Sequence, residues 1–275
     1  MKRLLLACLV TLPLSAFSQS YMVLNNGVTL TTDAAGFIYD FNHFVNPYQV
    51  SAKGGRVFVE ADKLVTIDDG GLLYRKDQKV KVVKAIGYNY LIDSDATLIT
   101  VNNQGFHYVT KDKLYKKIDK GGANFFTLND KDKKKIDVYT VTSLGTVAKV
   151  TVPGLNPADI ASVGPRYLLT SKGEIYTSTK DGVLSVQPDY KVRAVKSTGG
   201  NFFVDDTGSL YTISETGRLN LPILPLNLII VNIAQMGSNY MIDLSGRVFV
   251  VDNLGAVYER EVKSHDMRNV FILSR

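Results

Sequence analysis

The 275-residue chain has no tryptophan, three histidines and one cysteine. That cysteine, Cys8, sits in an N-terminal stretch with the marks of an export signal. Lys2 and Arg3 give a positive start, residues 4–14 form a short apolar run, and Ala16-Phe17-Ser18 places small residues at −3 and −1 of a cleavage site. Cleavage after Ser18 leaves a chain without cysteine, which excludes disulfides, thiol nucleophiles and thiolate metal sites. The rival reading takes Leu5-Leu6-Ala7-Cys8 as a lipidation box, but almost no apolar segment precedes Cys8.

Further absences narrow the function. None of the seventeen asparagines opens an Asn-x-Ser/Thr sequon, which fits a bacterial periplasm or exterior better than a eukaryotic secretory route. No later run reaches the roughly 18 apolar residues of a membrane span. The nearest, residues 221–233, is broken by prolines and asparagines. His43, His107 and His265 have no metal-ligand spacing, and no Gly-x-Ser-x-Gly, Walker or His-Glu-x-x-His motif occurs. No catalytic residue, cofactor site or metal site is therefore assigned.

What the chain does have is repetition. A glycine follows a strand-type residue by six positions seven times: Leu30/Gly36, Val65/Gly71, Ile99/Gly105, Tyr139/Gly145, Tyr176/Gly182, Tyr211/Gly217 and Phe249/Gly255. The steps between these glycines are 35, 34, 40, 37, 35 and 38 residues, the longest containing a lysine-rich insertion at residues 131–135. Each copy holds about four short runs in which aliphatic, Tyr and Phe residues alternate with polar ones, the period of a half-buried strand. In the last copy these runs are residues 228–234, 240–244, 247–251 and 256–262. The breaks carry Asp, Asn, Ser and Gly, the residues of tight turns. No stretch shows a 3.6-residue period, so the chain is expected to be all-β.

A sheet of about 36 residues cannot bury both faces alone, and stacked copies must cover one another. The chain ends favour a closed ring over an open solenoid. The first copy, starting at Tyr21, aligns without gaps with the copy at Tyr240 but lacks the preceding strand. Residues 269–274 supply an orphan strand resembling residues 231–236. Pairing of the two ends would complete one blade and leave no open sheet edge. The expected fold is a seven-bladed β-propeller of residues 19–275, closed by the C-terminal strand on the N-terminal repeat.

The opening half of each copy resembles the repeat of the regulator-of-chromosome-condensation family of seven-bladed propellers. Ile230, Ile233, Gly237, Tyr240, Gly246 and Val248 fit its pattern in order, as do Val192, Val195, Gly199, Phe202, Gly208 and Leu210. The family's Trp-Gly and Gly-Gln-Leu-Gly elements are absent. The resemblance implies an architecture and no activity.

Three sets of residues could carry function. Asp93, Asp205 and Asp243 share one repeat position, and Asp33, Asp68 and Asp252 another; they either ring a pore mouth as calcium ligands or cap hairpins. Tyr88, Phe126, Phe202 and Tyr240 either line a stacking rim or pack between blades. Lys113, Lys116, Lys117, Lys131, Lys133, Lys134 and Lys135, with Lys111 and Lys120, cluster around the third and fourth copies and suit a protein partner or an anionic polymer, although Asp119, Asp130, Asp132 and Asp137 dilute them. A regular ring without a catalytic cluster reads as a monomeric, non-enzymatic binding or scaffolding module of the bacterial envelope. The insertion at residues 130–137 marks one candidate contact for its protein partner. The alternatives are an enzyme with its site at the pore mouth and a polyanion-binding module. Intact-mass measurement of the exported protein should give an N-terminus at Gln19 and no lipid adduct; retention of Cys8 would overturn the assignment of the signal.

Overall fold

Short apolar runs separated by Asp-, Asn- and Gly-rich turns fold back on themselves as antiparallel hairpins. The computed structural model describes residues 20–24, 26–33, 35–130, 135–262 and 270–271. The expected export signal and its cleavage site lie outside them. The described residues contain no α-helix. They form seven four-stranded antiparallel sheets arranged as the blades of a β-propeller.

Blade 2 shows the pattern: Val50–Lys53 is innermost, followed outward by Val57–Glu60, Lys63–Ile67 and Leu73–Lys79. The innermost strands of blades 3 to 7 are Val83–Ile86, Ile118–Gly121, Ile160–Val163, Val195–Thr198 and Ile233–Met236. Blade 1 takes Ser20–Leu24, Val28–Thr32 and Ile38–Phe44 from the N-terminal repeat. On its inner side Val270 pairs with Leu24, and Phe271 with Val23. The remainder of the expected strand at residues 269–274 lies outside the described residues.

The second strand of most blades is buried along its whole length. Tyr90–Asp93, Tyr167–Thr170, Phe202–Asp205 and Tyr240–Asp243 have no exposed position. Both faces of each blade are covered, one by each neighbour. Seven apolar clusters result, one per inter-blade gap. Val57, Val59 and Leu64 of blade 2 pack on Leu91, Ile99 and Val101 of blade 3, for example. Met22, Leu24 and Leu30 of blade 1 pack on Tyr240, Ile242, Val248 and Val250 of blade 7, so side-chain packing continues across the gap between first and last blades. Each large side chain so buried contributes about 1.5–3 kcal/mol.

The seven recurring glycines sit in the turn between the third and fourth strands, all with φ between +75° and +88°. That conformation is costly for any residue with a Cβ. The turn also presses on the previous blade. A threonine follows the anchor strand residue at 31, 66, 100, 140, 177 and 212, with Val250 in the seventh copy; those at 66, 100, 140, 177 and 212, and Val250, face the next blade's glycine. The hydroxyls of Thr66, Thr100 and Thr212 donate to the carbonyls of Gly105, Gly145 and Gly255 at 2.7–2.8 Å.

Nearer the axis the crowding is greater. The turn from first to second strand reads Gly-x-Asn or Gly-x-Arg before a bulky buried residue. A Cβ on Gly87 would lie 2.5 Å from the carbonyl oxygens of Gly122 and Ala123 in the next blade. The following Asn or Arg is buried and reaches across the gap. Asn89 donates to the Thr142 carbonyl at 2.7 Å, Asn124 to Thr179 at 2.6 Å and Asn239 of blade 7 to Asp33 of blade 1 at 3.0 Å. Arg166 donates to the carbonyls of Ser178 and Ser214, and burial pulls its pKa down to about 10, partly opposed by Glu215.

One sequence expectation needs correction. Residues 228–232, read as the beginning of a strand, precede it. Ile230–Asn232 is a 3₁₀ turn, and the strand is Ile233–Met236. Pro222 and Pro225 lack the N–H groups a sheet ladder needs, and the main chain turns instead, Leu228 donating to the Pro225 carbonyl. Two substitutions separate backbone strain from inter-blade crowding. Gly208 and Gly255 share a φ of +88°, but a Cβ meets nothing within 4 Å at Gly208 and Thr212 Oγ1 at 2.7 Å at Gly255. Thermal melting should show Gly208→Ala costing about 1 kcal/mol and Gly255→Ala about 2–4 kcal/mol; equal losses would show that crowding between blades contributes nothing.

Candidate functional site

The innermost strands surround a cavity of about 900 Å³ on the propeller axis. Each of the six described ones contains a β-bulge, as between Val50 and Ala52 or Ile233 and Gln235. A bulge bends and twists its strand and re-aims the residues that follow. One end of the cavity is formed by the packed glycine turns, including Gly54, Gly87, Gly122, Gly164, Gly199 and Gly237. The other end reaches Val204 and Gly208 of blade 6 and Ile230 and Val231 before blade 7.

Its walls are largely glycine and aliphatic, with Ile86, Val163, Ile233 and Met236 as the large members. The polar side chains are Tyr21, Tyr88, Ser197, Thr198, Gln235, Ser238 and Tyr240, and the charged ones Lys53 and Lys196. No carboxylate or imidazole lines the cavity among the described residues. Burial lowers the pKa of Lys53 and raises those of Tyr21 and Tyr240, each a loss of water around the charged form.

A second feature adjoins the cavity at Ile230 and Val231. Residues 221–231 connect blade 6 to blade 7. Leu224 and Ile230 pack inward around the buried Leu228, against the apolar cluster of those blades. Ile223 and Leu226 stand almost entirely in solvent, at 95% and 102% exposure, and Leu221, Ile229 and Val231 also face out. Leu244, exposed on the adjacent hairpin, is held beside this loop because its N–H donates to the Asn232 carbonyl. Asn227 ties the loop to Glu259 of the outer strand at 3.1 Å. No charged residue occurs between Arg218 and Asp243. In sequence this run reads as an interrupted apolar stretch that continues into a strand; its alternation of inward and outward residues is set by the turns, and no helix or strand period reveals it.

The aspartates cap hairpins. Asp93 Oδ1 accepts the N–H groups of Asp95 and Thr97, Asp205 Oδ1 those of Thr207 and Ser209, and Asp243 Oδ1 those of Ser245 and Arg247, all at 2.9–3.0 Å. Asp33 and Asp68 bond the N–H four residues on and a tyrosine hydroxyl, of Tyr39 and Tyr74. Asp252 accepts from Leu254 and Ala256. Phe126 and Phe202 are buried between blades, Tyr240 is buried there and also reaches the cavity lining, and Tyr88 lines the cavity with Arg56 against its ring. His43 accepts the Leu73 N–H across the gap between blades 1 and 2, His107 lies on the outer strand of blade 3, and His265 is outside the described residues. No group of three or more His, Cys, Asp and Glu positioned for a metal ion occurs among the described residues.

The lysine cluster is only partly described. Lys113, Lys116 and Lys117 lie in the 3₁₀ turn Lys113–Lys117, capped by Asp112 and exposed at Lys113 and Lys116. Lys117 pairs with Asp130 at 2.9 Å, and neighbouring Lys149 with Asp137 at 2.8 Å. Lys135 opens the strand Lys135–Val141, and Lys131, Lys133 and Lys134 fall outside the described residues.

The sequence matches no protein-family model and no curated protein. Among solved structures, the chain is similar to a virginiamycin B lyase from Staphylococcus aureus, at 12% identity and a TM-score of 0.35, covering 90% of this chain and 94% of that one. It is similar to the periplasmic gluconolactonase of Pseudomonas aeruginosa, at 12% identity and a TM-score of 0.32, covering 92% and 97%. It is also similar to PorZ, a surface component of the type-IX secretion system of Porphyromonas gingivalis, at 11% identity and a TM-score of 0.36, covering 90% of this chain and 40% of that one. These neighbours include both enzymes and a surface component, and at such identities they assign neither activity nor partner to this chain.

Asp243 offers a test of the capping role. Burial alone would raise its pKa, but hydrogen bonds from Ser245 and Arg247 outweigh it and hold the carboxyl below its ordinary value. A depressed folded-state pKa stabilises the fold above the unfolded-state pKa, and the contribution disappears as pH falls through the folded-state value. Asp243→Ala should cost about 1–3 kcal/mol at pH 7, and its melting temperature should converge on the wild-type value in acid. A gap that does not change with pH would refute the charge-assisted cap.

Proposed function

We propose that this chain is a non-enzymatic binding propeller of the bacterial cell envelope that docks a protein partner on the face carrying residues 221–231. The observation that carries this reading is the exposed apolar surface of Leu221, Ile223, Leu226, Ile229, Val231 and Leu244 on a loop anchored from below. Scattered exposed aliphatics are ordinary on a folded protein, but an uncharged contiguous group of them is the usual mark of an interaction surface. Fully burying one such side chain in a complex is worth about 1.5–3 kcal/mol. The anchoring of Leu224 and Leu228 reduces the ordering cost of binding, because the loop is held before the partner arrives. The export signal read in residues 1–18 supports the envelope location, with the ring spanning residues 19–275 once that signal is removed.

The test is a double variant, Ile223→Asp with Leu226→Asp. Both positions are almost fully exposed, so the fold should melt at the wild-type temperature. Wild-type protein incubated with envelope extract should retain one protein in stoichiometric amount. The double variant should lose it, and Val82→Asp, exposed between blades 2 and 3, should keep it. Retention by the double variant, equal loss with Val82→Asp, or wild-type binding to protein-free phosphatidylglycerol vesicles would each overturn the reading.

A further inference from the structure

The six described innermost strands carry Lys53, Lys84, Lys120 and Lys196 against a single acidic residue, Asp119. Lys84 is exposed and outside the cavity lining, whereas Lys53 is half-buried and loses part of its water there. The Lys120 ammonium donates to the carbonyls of Ile160 and Ala161 at 3.1 and 3.3 Å. Lys53 and Lys196 line the axial cavity. They come from blades 2 and 6, three steps apart around a ring of seven, and so from nearly opposite walls.

Their surroundings suit a ligand that brings negative charge and some carbon. Aliphatic walls of low dielectric strengthen the field of the two ammonium groups, and a concave shape focuses it. Hydroxyls of Ser197 and Thr198 lie on the same strand as Lys196. Tyr21 also lines the cavity, and its buried hydroxyl has no hydrogen-bond partner among the described residues. A buried hydroxyl left unpaired costs about 1–3 kcal/mol, and a bound acceptor would recover it. The volume, about 900 Å³, is within the range of small-molecule sites.

We propose that the axial cavity binds a small organic anion, its carboxylate or phosphate group held between Lys53 and Lys196 and its carbon skeleton against Ile86, Val163, Ile233 and Met236. An ammonium is a point charge with freely rotating donors, so the pair accepts either anionic group without the bidentate geometry that arginine imposes. The site adjoins the docking surface at residues 221–231 and shares Val231 with it, but the proposal rests on Lys53 and Lys196 and not on docking.

The experiment is isothermal titration of the protein with citrate and, separately, with pyrophosphate at low ionic strength. Wild-type protein should bind one equivalent of at least one of them, more weakly as salt is raised. Citrate alone would place the ligand among carboxylates, pyrophosphate alone among phosphates. Lys53→Gln and Lys196→Gln should each weaken binding on the order of tenfold, Lys196→Arg should retain most of it, and Lys116→Gln, on the outer surface, should leave it unchanged. Lys196 is exposed to the cavity, so Lys196→Gln is expected to melt like wild type and carries the test even if Lys53→Gln fails to fold. Failure of both anions to bind saturably, or undiminished binding by Lys196→Gln, would overturn the proposal.

Discussion

Close approach of neighbouring blades near the axis is the constraint from which most of this structure follows. Seven sheets converge there, and their turns meet backbone to backbone. A Cβ on Gly54 would overlap the Gly87 carbonyl of the next blade, and one on Gly199 would lie 2.6 Å from the Gly237 carbonyl. Only glycine fits. Carbonyls brought so close and away from water need donors, since each one left unpaired costs about 1–3 kcal/mol. Other donors serve them, as where the Gly200 N–H meets the Gly237 carbonyl and the Tyr90 hydroxyl the Gly122 carbonyl; the residue two places after the glycine, Asn89, Asn124, Arg166, Asn201 or Asn239, bonds main-chain oxygens in the third-to-fourth strand turn of the following blade. The last of these runs from blade 7 to blade 1. Packing and hydrogen bonding thus tie the first repeat to the last even where the chain itself is not continuous.

The same constraint determines which positions are left for function. Apolar positions of the second and third strands are occupied by the gaps between blades, and most of the repeated aspartates by the hairpins they cap. What remains variable is the inner strand facing the axis, the connections between blades and the outer strand. The lysines of the innermost strands and the outward aliphatics of residues 221–231 both fall in these unconstrained positions. A residue repeated in copy after copy belongs to the ring, and one that breaks the repeat is the better candidate for recognition. Tyr88 illustrates this: its counterparts in the other turns are Gly55, Ala123, Pro165, Gly200 and Ser238, and among these turn positions Tyr88 alone brings an aromatic ring to the cavity lining.

Much of the ring was legible in the sequence because its rules are local. A glycine at positive φ, an aspartate accepting two N–H groups of its own hairpin and the two-residue alternation of a strand all act within a few residues. The spacing of the seven glycines therefore carried blade number and strand order. The threonine after six of the seven anchor residues is nearly as periodic, but its role appears only when Thr212 is seen to meet Gly255 of another blade. The strand expected at residues 228–232 failed for a related reason: an apolar run has the composition of a strand whether it pairs or, stopped by Pro222 and Pro225, turns along the surface.

By itself, then, the sequence determined the repeat, the all-β class, the sevenfold count and the hairpin role open to the aspartates, because each depends on short-range stereochemistry. Tertiary structure alone decided that Lys53 and Lys196, 143 positions apart, share one cavity, that Tyr21 joins its lining with a hydroxyl that has no partner among the described residues, and that Ile223 and Leu226 face solvent while Leu228 does not. Closing the ring brings distant copies to a common axis and assigns each side chain a direction, and neither the axis nor the direction exists until all seven blades are in place.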